Sequence, residues 1–131
     1  MLASSVDDAS YTLEVMPGGQ IARFHWRGPI TPRDRRDNVR RMVDFCRARR
    51  IQCLLIDGRD QEPVGPVVDN FDFGSTIPVE MRGLRIAVVH RPDDEALPFI
   101  ETVAFNRGGN TQSFVDTERA LEWLEPFTRP A

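Results

Sequence analysis

The chain has 131 residues, 40% of them hydrophobic and 28% charged, with a formal net charge of −3. That size and balance suit one globular domain with a proper hydrophobic core and exclude a disordered chain. No apolar run approaches the roughly 20 residues of a membrane span, the first ten residues lack the basic start and apolar stretch of a secretory signal, and the acidic balance gives no reason to expect nucleic acid.

Met1 to Ser10 is small and polar and is expected to be a flexible N-terminus. Tyr11, Leu13 and Val15 alternate with Thr12, Glu14 and Met16, the period of a half-buried strand. Pro17-Gly18-Gly19 supplies a turn, and Ile21 to Arg27 a second strand with Ala22, Phe24 and Trp26 on one face and Arg23, His25 and Arg27 on the other. Gly28-Pro29 should break that strand. Thr31 is placed to cap a helix, Pro32 fits its first position and Asp34 its first turn. Val39, Met42, Val43 and Cys46 recur at helical spacing and should face a sheet, with the helix ending near Arg50.

Cys53-Leu54-Leu55-Ile56 is a short continuous apolar run, the pattern of a central strand covered on both faces. A loop from Gly58 to Gly65 and a short helix from Pro66 to about Gly74 should follow. Leu84 to Val89 reads as another buried strand. Asp93, Asp94 and Glu95 precede a helix with Ile100, Val103 and Ala104, closed by Gly108. Thr111 to Val115 is the last strand, and Asp116 caps a final helix with Ala120, Leu121 and Leu124 as its apolar stripe. Strands separated by helices join by right-handed crossovers into a parallel sheet. The expected α/β fold is therefore a mixed five-stranded sheet, an N-terminal antiparallel hairpin and then parallel strands, with about four helices. It forms one domain over residues 11–125 with a tail over 126–131.

Cys46 and Cys53 read as free buried thiols rather than a disulfide pair, which fits a cytoplasmic setting. All seventeen basic residues are arginine, and eight fall on the first helix. There Arg33, Arg36, Arg40 and Arg47 lie opposite Val39 and Cys46, with Asp37 and Asp44 spaced to pair with them. A solvated ion-pair face explains the run without nucleic acid.

Gly28-x-Ile30-Thr31 before the first helix, Leu54-Leu55-Ile56-Asp57 with Arg59, Arg85-Ile86-Ala87-Val88-Val89, and Asn106-Arg107-Gly108 followed by Phe114 and Ala120-Leu121-x-Trp123-Leu124 together resemble the SpoIIAA-like branch of the STAS superfamily. The resemblance runs from about Tyr11 to Leu124. It implies a regulatory or binding domain that pairs with protein partners and is sometimes dimeric. Anti-sigma-factor antagonists of the family are switched by phosphorylation of a serine just after the central strand, in an Asp-x-Ser-Gly type loop. Here that loop reads Asp57-Gly58-Arg59-Asp60, and no serine or threonine follows before Ser75, so this switch does not carry over. The branch is also grouped with Sec14-type lipid-binding domains, but 131 residues leave little chain for the lid and cavity of a lipid carrier.

In open α/β sheets ligands bind beyond the carboxyl ends of the parallel strands. That edge should collect Asp57, Arg59 and Asp60 after one strand and His90 and Arg91 after the next. Arg59 and Arg91 would then be fork donors to a small anion or to an acidic partner loop. The competing reading makes Asp57 and Arg59 a structural ion pair that closes the loop. Asn106 and Arg107 form a second polar cluster, explained mostly by helix termination, with Arg107 free to bond a partner. Phe71, Phe73, Phe99, Phe105, Trp123 and Phe127 exceed what the core needs, and the remainder would form an apolar patch for a homodimer or a partner.

No recognised catalytic motif occurs, and His25, Cys46, Cys53 and His90 lack zinc-ligand spacing, so no catalytic residue, metal or cofactor is expected. The function expected is non-enzymatic: binding of a partner protein or a small anionic ligand through Asp57, Arg59, His90, Arg91, Asn106 and Arg107. The alternative is a small-molecule or lipid carrier, or a minor enzyme, built on the Asp57, Arg59 and His90 edge.

Overall fold

The computed structural model describes residues 4–63, 81–93 and 110–128. Its first helix, α1 (Pro32–Ala48), begins where the sequence signals it. Thr31 Oγ1 accepts the Asp34 backbone N–H at 3.1 Å, and the Asp34 carboxylate accepts the Thr31 N–H at 3.1 Å, a reciprocal capping box. Its other end closes with Arg50 in the left-handed region, φ 56°, and the Ile51 N–H donating to the Cys46 carbonyl at 2.9 Å. Thr31→Ala should lower stability by about 1 kcal/mol, read from the urea midpoint at neutral pH. A change below a few tenths would mean that Pro32 and tertiary packing set this helix start without the cap.

Six strands form one sheet in sequence order: β1 (Ser5–Asp7), β2 (Tyr11–Val15), β3 (Ile21–Ile30), β4 (Cys53–Pro63), β5 (Arg85–Val89) and β6 (Thr111–Phe114). The β1–β2 and β2–β3 pairs are antiparallel, and β3 to β6 run parallel. The expected five strands are thus six. Ser5–Asp7, whose small polar composition predicts a flexible end, pairs with Thr12 to Glu14 and makes β1 the edge. Of the four expected helices, α1 and α2 (Thr117–Leu124) are described, and a 3-10 turn (Glu125–Phe127) follows α2. The two helices expected after Pro66 and after Asp93 lie outside the described residues.

Two strands run further than their composition suggests. Gly28-Pro29 does not end β3, because β2 starts opposite Trp26 and the last residues of β3 then need only one ladder partner. A proline is tolerated where one side of the strand is unpaired. Gly28 takes φ 73°, the left-handed region open to glycine at low cost. In β4 the chain stays extended through Asp57 to Pro63 instead of looping out at Gly58. His25 faces Asp57 but Arg27 faces Asp60, so β4 carries one extra residue there, a bulge.

Alternation along the strands divides the core in two. Tyr11, Leu13, Phe24, Trp26, Leu54, Ile56, Ile86 and Val88 meet α1 on one face. Cys53, Leu55, Ala87 and Val89 meet Ala120 and Leu124 of α2 on the other. Both cysteines are buried and free, and burial pushes the Cys46 thiol up to about 12. Arg35 departs from a mostly exposed arginine run and is buried on the core side of α1, in line with Asn38 and Val39.

Candidate functional site

The expected edge is assembled by the parallel register of β3, β4 and β5. Asp57 ends the apolar part of β4 and is almost completely buried. Its Oδ2 accepts from Arg59 Nη2 and from Arg23 Nη2, each at 2.8 Å. Its Oδ1 accepts from the Arg59 backbone N–H at 3.1 Å and from Arg59 Nε at 3.0 Å. Burial alone would raise the Asp57 carboxyl. The hydrogen bonds and charge of Arg59, with the charge of Arg23, outweigh it and hold the group below its ordinary range. The same bond to Asp57 holds the Arg59 guanidinium more firmly protonated.

The chain of contacts continues to both sides. Arg91 Nη1 donates to the Arg59 carbonyl at 2.7 Å, and Arg91 Nε stands 3.5 Å from Asp93. His90 Nδ1 donates to the Arg91 carbonyl at 2.7 Å, while its backbone N–H reaches the Phe114 carbonyl at 2.9 Å. In the other direction Arg23 Nη1 lies 3.5 Å from Glu14. One polar line therefore crosses β2, β3 and β4 and reaches the end of β5. Asp57, Arg59, His90 and Arg91 are brought together, but only His90 and Arg91 follow a strand: Asp57, Arg59 and Asp60 lie inside β4, level with the end of β5, because β4 runs on to Pro63 beside β3. Asn106 and Arg107 lie outside the described residues.

Sequence reasoning left out Arg23 and His25, which this geometry includes. His25 Nε2 is 2.6 Å from the Asp60 carboxylate, a contact created by the bulge that turns Asp60 onto the same face. Alternation placed both side chains away from the α1 core. Their partners depend on strand register, and nothing local encodes that.

The Arg59 fork is turned inward onto Asp57, the geometry of a structural ion pair. Asp57, ionised and holding two guanidiniums, is poorly suited to take a proton at neutral pH. Among the described residues no group of three or more His, Cys, Asp or Glu side chains is placed to hold a metal ion, and no helix is long and apolar enough to cross a membrane.

No family model and no curated protein matches the chain. Two solved structures align over most of its length. A protein of the DUF3478 family from Shewanella loihica PV-4, described as having a SpoIIAA-like fold, superposes with a TM-score of 0.55 at 19% identity, covering 95% of this chain and 99% of that one. The SpoIIAA-like fold is the fold of this chain. The anti-sigma factor antagonist SpoIIAA itself, in its unphosphorylated form, superposes with a TM-score of 0.56 at 9% identity, covering 88% and 98% of the two chains. At these identities the likeness is one of architecture. It bears out the SpoIIAA-like fold that the sequence resemblance implies.

Proposed function

We propose that this chain is a non-enzymatic, STAS-type regulatory domain whose strand-end edge docks a partner protein. The observation that carries the reading is the linkage of Asp57, Arg59 and Arg91. A buried carboxylate fixes Arg59, and the Arg59 carbonyl fixes Arg91, yet 44% and 42% of the two arginine side-chain surfaces stay open to solvent. With Asp60 and Asp93 also exposed, the edge presents immobilised charges of both signs. Such a pattern suits a polar partner loop, because the side-chain entropy of ordering has already been lost in the free protein. One fold neighbour is an anti-sigma factor antagonist, a name that denotes action on another protein.

A small anionic ligand is the second reading, favoured by the exposed faces of the same two arginines. Capture from cell extract, run in parallel with wild type and Arg91→Glu, separates the two. The partner reading expects a protein retained by the wild type and depleted at least about tenfold by the variant, with both melting at similar temperatures. Undiminished retention by Arg91→Glu would overturn docking at this edge. A small molecule held by the wild type in native mass spectrometry, with no protein depleted by the variant, would establish the ligand reading instead.

A further inference from the structure

We propose a second binding site at the opposite end of the sheet, a two-lobed cleft that takes a short linear zwitterion with an apolar middle. The proposal is independent of the partner reading. The larger lobe has a volume of about 480 Å³ and an apolar floor of Met16, Pro17, Ile21 and Leu121. The smaller, of about 150 Å³, is bordered by Gln52, Cys53 and Phe127. Gln20 and Thr128 line both hollows and form the wall the two share. The larger lobe alone falls in the size range of small-molecule sites.

Charge decides the occupant. Each lobe has one charged lining residue, and the two are of opposite sign: Glu125 in the larger and Arg50 in the smaller. Among the described residues neither the Glu125 carboxylate nor the Arg50 guanidinium takes part in an ion pair. This differs from the strand-end edge, where Arg59 and Arg23 share one carboxylate. A negative charge at the apolar hollow and a positive charge in the hollow beside it, neither in an ion pair among the described residues, complement a molecule with an ammonium at one end, a carboxylate at the other and an apolar body between them. A short peptide with free termini is the simplest such molecule, and the Gln20 amide in the shared wall matches its backbone polarity.

The structure also supplies a reporter. The Phe127 ring, in the wall of the smaller lobe, stacks on the Arg85 guanidinium at 3.4 Å, and the Trp123 ring stacks on the same group at 3.4 Å. An occupant pressing on Phe127 therefore disturbs Trp123, whereas Trp26 is buried in the other core. The experiment titrates trileucine with free termini into the full chain and follows tryptophan emission. Saturable binding is expected, weaker by about tenfold or more for the acetylated, amidated peptide, since each charged end contributes a charge-assisted bond. Glu125→Gln and Arg50→Gln should each weaken binding of the free peptide about five- to tenfold and leave the blocked peptide unchanged. No saturable change up to millimolar peptide, equal binding of free and blocked forms, or indifference to both variants would each overturn the site. Glu125→Gln should not alter partner capture at the strand-end edge, so the two proposals fail separately.

Discussion

Asp57→Asn should lower stability at neutral pH by about 2–3 kcal/mol, below the range for breaking a fully buried ion pair because its arginine partners can rehydrate. Arg23 and Arg59 keep 24% and 44% of their side-chain surfaces in solvent, while Asp57 keeps only 3%. The variant retains a hydrogen-bonding side chain of the same size, so the loss reports the charge and not a cavity. The pH dependence follows from the sign of the shift. The folded carboxyl titrates below its ordinary value of 3.8. Its contribution is therefore fully present above that value and disappears as pH falls through the lower, folded one. Urea unfolding of wild type and variant between pH 7 and pH 3 should give curves separated at neutral pH that converge as the medium becomes acid. Parallel curves across that window would show that Asp57 is not the anchor of the edge. Asp7 is also held below its ordinary range, by Thr12 and Arg27, but it is exposed. Asp7→Asn should therefore leave the acid limb close to that of wild type.

The parts of this architecture that were legible in the sequence are those that local chemistry encodes. Thr31, Pro32 and Asp34 announce α1, and Tyr11 to Trp26 announce a hairpin with one apolar face, because capping and alternation act over a few residues. Ser5-Val6-Asp7 is too short to show a period, and only its pairing with β2 makes it a strand. Gly28-Pro29 looked like a stop because proline is excluded from ladders paired on both sides, and sequence cannot tell how many neighbours a strand end has. The end of the apolar run in β4 and the end of β5 pointed to Asp57, Arg59, His90 and Arg91 as one cluster, although β4 itself continues to Pro63. The ion pairs that fix them needed the β3–β4 register and its bulge, which are tertiary facts. Arg35 makes the same point from the core: helical spacing places it in line with Val39 and Met42, yet arginine is rarely buried and nothing local marks this one as an exception.

Phe24→Ala should have the largest effect of any single truncation in the hairpin, a loss of about 3–5 kcal/mol. Phe24 is fully buried in the middle of β3, stacked on Tyr11 at 4.9 Å between ring centroids and meeting Trp26 edge-on at 5.2 Å. The Tyr11 ring also lies beneath Arg41 of α1 at 5.9 Å, so the aromatic row ties the antiparallel β2 to the strand that begins the parallel sheet and to the helix above. Removing the central ring leaves a cavity flanked by two large rings that cannot close it without leaving their own rotamers. A double-mutant cycle with Tyr11→Ala should give a coupling of about 0.5–1.5 kcal/mol, the value of an aromatic pair beyond its buried area. The consequence reaches the opposite face, because Phe24 lies between Arg23 and His25 on the same strand. A shift of β3 into the cavity would move Arg23 off Asp57 and His25 off Asp60. Chemical-shift changes at Asp57 and Arg59 in Phe24→Ala, at temperatures where the variant is still folded, would show that this core row positions the strand-end edge. A loss below about 1 kcal/mol, or an edge whose shifts do not change, would show instead that the Asp57 ion pairs hold β3 in place by themselves.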